Sequence, residues 1–183
     1  MTREQRLIIE EKALSLLVKQ DLRGEYALSF FDYRKILTFG RASITSIQAY
    51  EKLTGVALPF HPEGMTVRYG NCNFILYDDN IKNRARINWT VCHELGHVFL
   101  EHGDDCLKNQ REANLFASSL LIPEAVVRFL DCQKGEPISP DEMTNYFGAS
   151  LSACRRRRDE LDRLDIASPS NSALVLLNNL FGT

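Results

Sequence analysis

The chain has 183 residues, with 22 lysines and arginines against 24 aspartates and glutamates, so its formal net charge is −2. A balanced charge excludes the strongly basic surface typical of proteins that bind nucleic acid along their whole length, and no apolar run approaches the roughly 20 residues of a membrane-spanning helix. The five cysteines form no CxxC pair and the N-terminal residues lack a signal-peptide pattern, so we expect reduced thiols and a cytoplasmic protein without a membrane partner.

The predicted elements are a helical first part, a short β region and a long helical part. Apolar residues at helical spacing predict helices over residues 2–20, 26–37 and 43–53. Runs of β-branched and aromatic residues predict a small sheet from segments 56–60, 65–69 and 73–77, with a turn at 70–71. Further helices are predicted over 85–102, 109–122 and 124–132. A helix, a turn at Gly148 and a second helix through residue 164 then precede a linker at 168–172 and an apolar tail.

The pentapeptide at 93–97, HELGH, has the HExxH pattern and contains two of the four histidines of the chain. Residues four apart lie on one face of a helix, so His93 and His97 can present two imidazoles to one metal ion. Glu94 lies about 100° further round the helix, where its carboxylate can act on a water molecule without being a ligand. The motif therefore predicts one Zn²⁺ per chain, with Glu94 as the catalytic residue.

A catalytic zinc site needs a third protein ligand, and Glu112 is the preferred candidate. If the helices at 85–102 and 109–122 run antiparallel, Glu112 stands nearly level with His97. The alternative is an acidic residue stabilised by the N-terminus of its helix. His102 is expected to point away from the metal, because it lies about 160° from the ligand direction on the helical wheel. Other acidic candidates nearby are Glu101, Asp104 and Asp105.

Small residues accompany the motif. Gly96 lowers the helix propensity of its segment, and a close backbone approach beside the metal would explain its presence. Ala113 and Ala117 have the small side chains that close packing of two helices requires. We therefore expect the helix that carries the motif and the helix after it to be in close contact.

The segments around the motif resemble those of the ImmA/IrrE-type metallopeptidase family. Residues 86–97 have the sequence RINWTVCHELGH and follow the strand-like segment NFILYDD. Residues 111–123 have the sequence REANLFASSLLIP, which is similar to the family's EAN-x-FA-x-x-LL-x-P helix. The resemblance is strong over residues 73–123 and extends weakly to the helices at 142–161.

This resemblance implies a fold and a site. The fold is α+β and zincin-like, mostly helical, with a small three-stranded antiparallel or mixed sheet packed on the active-site helix. In the site, His93, His97 and Glu112 would bind zinc, and Glu94 would be the catalytic glutamate. The chain departs from the family at Cys92, where alanine is usual, and this thiol is either redox-sensitive or a small buried filler.

The resemblance also implies a function. Members of the family typically cleave a helix-turn-helix repressor, so we expect a zinc-dependent endopeptidase that acts on a separate repressor and relieves repression of mobile-element or stress genes. We predict a zincin-like metallopeptidase domain with N-terminal helices at 1–134, a helical pair resembling a helix-turn-helix at 135–165, and a linker with an apolar tail at 166–183. The tail is either a helix docked on the core or a segment that lies in a cleft and controls access.

A second hypothesis is a DNA- or repressor-binding regulatory protein that binds metal without proteolysis. The predicted helical pair contains a run of four arginines at 155–158. Three of them have an acidic residue four positions later, which is typical of a solvated helix face and does not favour phosphate binding. Glu94 favours the enzyme, because a site that only binds needs no such carboxylate. Direct nucleic-acid binding is therefore not expected.

Two parts of the mechanism stay open at this point. The candidates for the donor that stabilises the oxyanion together with zinc are Tyr69, Tyr77, His61 and the nearby arginines, and nothing in the sequence selects one. The strand predicted at 73–77 can pair with an extended substrate backbone or serve in the sheet alone.

Overall fold

Helices make up most of the chain, which confirms the predicted α+β class. The computed structural model describes residues 1–58, 62–165 and 168–182. The α-helices within these ranges are α1 (Arg3–Val18), α2 (Ala27–Phe30), α3 (Ile47–Thr54), α4 (Arg84–Phe99), α5 (Leu107–Leu121), α6 (Glu124–Lys134), α7 (Pro140–Phe147), α8 (Leu151–Leu161) and α9 (Asn171–Phe181). None of these helices has the length and apolar character that crossing a bilayer requires.

Three strands among the described residues form one sheet. They are β1 (Ser43–Ser46), β2 (Gly64–Tyr69) and β3 (Cys72–Tyr77), in the order β1-β3-β2. β2 and β3 form the predicted antiparallel hairpin, whose turn contains Gly70 with a φ of 59°. β1 pairs with β3 in parallel. The predicted three-stranded sheet is therefore confirmed, and it is of the mixed kind.

The first strand lies in a segment for which sequence periodicity predicts only a helix. This segment, 43–53, divides into β1 and α3, because Ser46 Oγ accepts from the backbone N–H of Ala49 at 3.2 Å and caps the helix. The helix predicted at 26–37 is likewise reduced to α2 and a 3-10 turn. The strand predicted at 56–60 is wrong for residues 56–58, which are in no strand, and Pro59 and Phe60 lie outside the described residues.

The chain folds into two units. The sheet unit comprises Asp32–Ala117, and the helical unit comprises Met1–Phe31 together with Ser118–Thr183. The limits of the two units differ from those of the three regions predicted from the sequence, 1–134, 135–165 and 166–183. The predicted regions follow sequence motifs, and their separate functions stay a prediction.

In the sheet unit, α4 packs on β2 and β3. Leu76 of β3 and Val91 and Leu95 of α4 are 0% exposed. Gly64, at the start of β2, is so close to the helix that a Cβ there would lie 2.1 Å from Cγ2 of Thr90. The sheet is therefore closely packed against the helix that carries the HExxH motif.

In the helical unit, α9 is a packed element. It contacts α1 and α6 and buries Ala173, Leu176 and Leu180. The ring of Phe181 lies against that of Phe129 on α6, with 4.4 Å between the centroids. Of the two alternatives for the apolar tail, the structure therefore has the docked helix.

The arginine run at 155–158 is divided between the surface and the interior. Arg157 and Arg158 are only 2% and 6% exposed. Arg157 donates to the backbone oxygen of Ile122 at 3.1 Å and to Glu160 at 2.9 Å, and Arg158 donates to Asp131 at 2.9 Å. The solvated helix face is expected from the acidic residues four positions after Arg155, Arg156 and Arg158, and this expectation is wrong for Arg158, although the predicted pair of Arg158 with Asp162 forms at 2.8 Å. Spacing within one helix could not show that Asp131, on α6, lies opposite.

Candidate metal centre

Helix α4 brings the two motif histidines together. Asn83 caps its N-terminus by accepting from the backbone N–H of Arg86 at 3.1 Å, and the helix continues to Phe99. The Nε2 atoms of His93 and His97 lie 3.1 Å apart. Two nitrogens that bind zinc tetrahedrally at ~2.0–2.1 Å are about 3.3 Å from each other. The observed spacing therefore suits a shared metal ion.

A hydrogen bond to α5 fixes the tautomer of His93. Its Nδ1 lies 3.0 Å from Oδ1 of Asn114. An amide oxygen can only accept, so Nδ1 carries the proton and Nε2 has the free lone pair. Histidines that bind metals are commonly oriented in this way by a partner on the other ring nitrogen.

His97 is oriented by a chain of two further side chains. Its Nδ1 lies 3.1 Å from Nδ1 of His102, and Nε2 of His102 lies 3.2 Å from Oε2 of Glu112. Because a carboxylate accepts, His102 donates from Nε2 and accepts the proton of His97 on Nδ1. The Nε2 lone pair of His97 therefore faces that of His93. Two facing lone pairs repel each other, and a cation between them removes the repulsion, so the donor set fits a metal ion.

His97 is uncharged at neutral pH. Burial is the main cause that lowers the pKa of His97 to about 4, and the neighbouring His93 and His102 also disfavour a positive charge on its ring. The negative charge of Asp105 acts in the opposite direction without outweighing these effects. The neutral imidazole is the form that binds a metal ion.

His102 lies against the motif, so the expectation that it points away is wrong. The helix predicted to residue 102 ends at Phe99, and Glu101 has a left-handed φ of 60°. The backbone N–H of His102 then bonds the backbone oxygen of His97 at 3.0 Å, which turns the chain back over the last helical turn. A helical wheel does not apply beyond the end of the helix.

Glu112 reaches the histidine pair through His102. Its carboxylate accepts from His102 and lies 3.7 Å from Nζ of Lys108. Within the described ranges, no group of three or more His, Cys, Asp or Glu side chains is arranged to hold a metal ion. The structure therefore brings His93 and His97 together and has Glu112 one side chain away. The assignment of Glu112 as the third ligand stays a prediction.

Gly96 allows α4 and α5 to approach closely. A Cβ at this position would lie 2.9 Å from Cα and 3.1 Å from the backbone oxygen of Ala113. The rings of Phe99 and Phe116 stack nearby, with 6.0 Å between their centroids. The expected close contact of the two helices is therefore observed. At Gly96, however, the close approach is to α5, whereas the sequence suggested an approach beside the metal.

Glu94 is held by the sheet. Oγ1 of Thr66 on β2 donates to Oε2 of Glu94 at 2.8 Å. Burial raises the pKa of Glu94, whereas the Thr66 hydroxyl and the neighbouring His93 act to lower it. A raised pKa makes the Glu94 carboxylate a stronger proton acceptor than a free glutamate. The geometry therefore suits a general base that later acts as an acid.

The sheet edge beside Glu94 belongs to β2. β3 is the central strand, with β1 on one side and β2 on the other, so the suggestion that segment 73–77 pairs with a substrate is wrong. Considering only the residues that the structure describes, β2 is paired on one side alone. An extended peptide can add to such an edge through backbone hydrogen bonds.

The other acidic candidates differ in their contacts. Glu101 is exposed and lies 3.4 Å from Arg41. Asp104 accepts hydrogen bonds within its own loop. Asp105 accepts from the side-chain amide of Gln110, which also lies 3.3 Å from Nε2 of the second motif histidine.

Cys92 has the environment of a structural residue. It is 0% exposed, and burial raises the pKa of its thiol well above the usual value. A thiol that does not ionise is a poor nucleophile and a poor metal ligand. The structure therefore favours the buried filler over a redox-sensitive group.

The donor that would stabilise an oxyanion is still open. His61 lies outside the described residues. Tyr69 is 61% exposed at the hairpin end of β2, and Tyr77 is the last residue of β3. No contact at either tyrosine distinguishes it as the donor.

Sequence reasoning missed three residues that hold the motif, namely Thr66, His102 and Asn114. Asn114 had a usable signal, because it belongs to the EAN element of the resemblance. The helical wheel directs His102 away from the metal, because the predicted helix extends to residue 102. Nothing in the sequence could have identified Thr66, because the register of the strands determines which residue of β2 faces Glu94.

An HExxH helix packed on a small sheet is the arrangement of a metallopeptidase-like protein. The profile of the Peptidase M78 family, described as an IrrE N-terminal-like domain, matches residues 52–158. This match covers more than half of the chain, so the chain belongs to that family, and the resemblance to ImmA/IrrE-type metallopeptidases is confirmed. No curated protein and no solved structure gives a match.

Proposed function

We propose that the protein is a zinc-dependent endopeptidase. The observation that carries this proposal is the position of the Nε2 atoms of His93 and His97, which lie 3.1 Å apart on the helix that also carries the half-buried Glu94. A site that only bound metal would need the histidines but not Glu94. The family membership supports a peptidase independently of this geometry.

His93 and His97 would hold the zinc ion, with Glu112 as the predicted third ligand. When bound, zinc supplies a Lewis acid that lowers the pKa of water toward ~7 and polarises a carbonyl group. Glu94 takes the proton of the attacking water and later delivers it to the leaving amine. Thr66 keeps the Glu94 carboxylate in position through both transfers.

The role of Glu112 can be separated from that of His102 by measuring zinc affinity. If Glu112 is a ligand, Glu112→Ala loses stoichiometric zinc, whereas His102→Ala weakens binding by about 10–100-fold, as loss of an orienting partner does. If Glu112 only orients His102, both variants weaken binding by the same modest factor. Competition with a chromophoric chelator distinguishes the two outcomes, and that second outcome would contradict the ligand assignment.

We propose a separate helix-turn-helix repressor as the substrate, cut in an extended segment that pairs with β2. The resemblance to ImmA/IrrE-type enzymes supports the repressor, and the edge position of β2 supports an extended substrate. A cytoplasmic location agrees with both and with five cysteines that are all free thiols. The competing DNA-binding role is weakened by the burial of Arg157 and Arg158 in ion pairs.

The proposed activity is tested by incubating the full chain, loaded with zinc, with the repressor encoded beside it. We expect cleavage at one or a few bonds, which stops on adding a chelator and is absent in Glu94→Gln. Cleavage that persists in Glu94→Gln would refute the mechanism. Intact repressor in all reactions, with the protein retained on operator DNA at physiological salt, would support the competing role.

A further inference from the structure

The side chain of Gln110 lies at the candidate metal centre, although the proposed reaction gives it no role. Its amide nitrogen Nε2 is 3.3 Å from Nε2 of His97. Asn114, four residues later on α5, lies 3.0 Å from Nδ1 of His93. Residues four apart share one face of a helix, so this face of α5 is turned toward the histidine pair. Gln110 is therefore part of the wall of the site.

Hydrogen bonding fixes which end of the Gln110 amide faces the site. Nδ1 of His97 donates to His102, so Nε2 of His97 accepts, and the amide nitrogen of Gln110 donates to it. The carboxylate of Asp105 accepts from the same amide nitrogen. An amide oxygen could make neither contact, because both partners are acceptors. The nitrogen is therefore held toward the site, with one N–H on Asp105 and the other on His97.

Asp105 lies within electrostatic reach of the groups that carry the proposed chemistry. Burial is the main influence on the pKa values of His97 and Glu94, and the negative charge of Asp105 acts to raise both. The residues of this cluster all belong to the sheet unit. The amide of Gln110 and the carboxylate that holds it therefore lie beside both the histidine pair and the catalytic glutamate.

The N–H group on His97 faces the lone pair that would bind the metal ion. One lone pair cannot serve a metal ion and this hydrogen bond together, so metal binding would leave the N–H of Gln110 without its acceptor. Gln110 is half-buried, and polar groups withdrawn from water need a partner. In peptide hydrolysis the oxygen of the attacked carbonyl gains negative charge, and side-chain amides are suitable donors to such an oxyanion.

We propose that Gln110 is the donor that stabilises the oxyanion of the peptidase reaction, and that Asp105 is the positioning residue that directs its amide. Gln110 has a hydrogen bond to a residue of the HExxH motif, whereas Tyr69 and Tyr77 have none in the part of the chain that the structure describes. This inference rests on the proposed function, because the oxyanion forms only if the protein cleaves a peptide bond.

The test compares wild type, Gln110→Leu and Gln110→Glu at equal zinc content, with the repressor encoded beside the protein as the substrate. Leucine removes the donor, whereas glutamate keeps the length of the side chain but offers only acceptors. We expect kcat to fall about 100- to 1,000-fold in both variants, with KM changed by less than about threefold, because the oxyanion develops only toward the transition state.

Three further measurements separate a donor from a metal ligand or a packing residue. Zinc affinity, measured by competition with a chromophoric chelator, should change by less than about threefold in Gln110→Leu, because a donor does not hold the metal. A phosphinic peptide with the cleaved sequence mimics the tetrahedral intermediate, and its affinity should fall in Gln110→Leu by about the same factor as kcat. Asp105→Ala should lower kcat about tenfold in wild type but have no effect in Gln110→Leu, since it acts only through that amide.

The outcomes separate this inference from the proposed function. Equal kcat in wild type and Gln110→Leu would overturn the inference and leave the proposed function intact. A Gln110→Glu variant that stays active and binds zinc more tightly would also overturn it, because the position would then serve metal binding. A zinc-loaded wild type that cleaves nothing would contradict the proposed function, and this inference with it.

Discussion

Each polar side chain of the HExxH motif is held by a partner from outside the motif. Asn114 orients the first histidine, His102 orients the second, and Thr66 holds the glutamate. Such partners set the tautomers and rotamers on which metal binding and proton transfer depend. At the scale of single residues, the proposed chemistry therefore depends on side chains that take no part in it directly.

Thr66→Val tests this dependence, because valine has nearly the same shape as threonine but cannot donate to Glu94. We expect kcat to fall about tenfold with little change in KM, since a base that is less well held transfers its proton less effectively. The measurement is steady-state cleavage of a substrate peptide at equal zinc content. Thr66→Ser keeps the hydroxyl and should retain most of the activity. Equal losses in both variants would show that Thr66 has only a packing role.

At the scale of elements, the contact between α4 and α5 depends on Gly96. Gly96→Ala would bring a Cβ to 2.9 Å from Cα of Ala113, and backbone cannot easily move away. We expect a loss of roughly 1–3 kcal/mol in the free energy of unfolding, which exceeds the gain in helix propensity. Urea unfolding measures the change. Gly103→Ala is the matched control, because its Cβ would meet nothing within 4 Å, and a similar loss there would contradict the explanation.

A carboxylate at the start of α7 makes the stability of the folded chain depend on pH. The ammonium of Lys134 and the capping hydrogen bonds with Ser139 lower the pKa of Glu142 from 4.5 to about 2. The carboxylate thus stabilises the folded chain above about pH 4.5, and this contribution is lost as the pH falls toward 2. Glu142→Gln should therefore lower Tm at neutral pH, and the difference from wild type should shrink in acid.

Thermal melting of wild type and Glu142→Gln between pH 7 and pH 2 checks this expectation. Glu136→Gln is the control, because Glu136 also pairs with Lys134, at 3.2 Å, but takes no part in the helix cap. A Tm difference for Glu142→Gln that is constant over the whole pH range would contradict the assigned cause.

Local sequence patterns predicted elements well where the decisive contacts are local. The β2–β3 hairpin follows from its turn, and the motif helix follows from its periodicity. The predictions from local patterns were wrong where the structure is determined by the end of an element or by a contact with a residue distant in the sequence. His102 depends on the helix ending at Phe99, and β1 depends on pairing with a strand about thirty positions further along the chain.

At the scale of the whole molecule, the family and the positions of the two histidines and Glu94 could be predicted because they form a contiguous motif. The burial of Arg157 and Arg158 could not, because Glu10 and Asp131, which pair with them from other helices, are distant in the sequence. The same is true of the contact that the amide of Gln110 makes with α4. Properties that arise from three-dimensional assembly of distant segments leave little trace in one sequence.

The central claim is that His93 and His97 hold a catalytic zinc ion on which Glu94 depends. The most direct measurement is zinc content together with peptidase activity in three preparations: wild type, His93→Ala and Glu94→Gln. We predict about one zinc per chain in wild type and Glu94→Gln and none in His93→Ala, with activity in wild type alone. Stoichiometric zinc in His93→Ala, or full activity in zinc-loaded Glu94→Gln, would contradict the account.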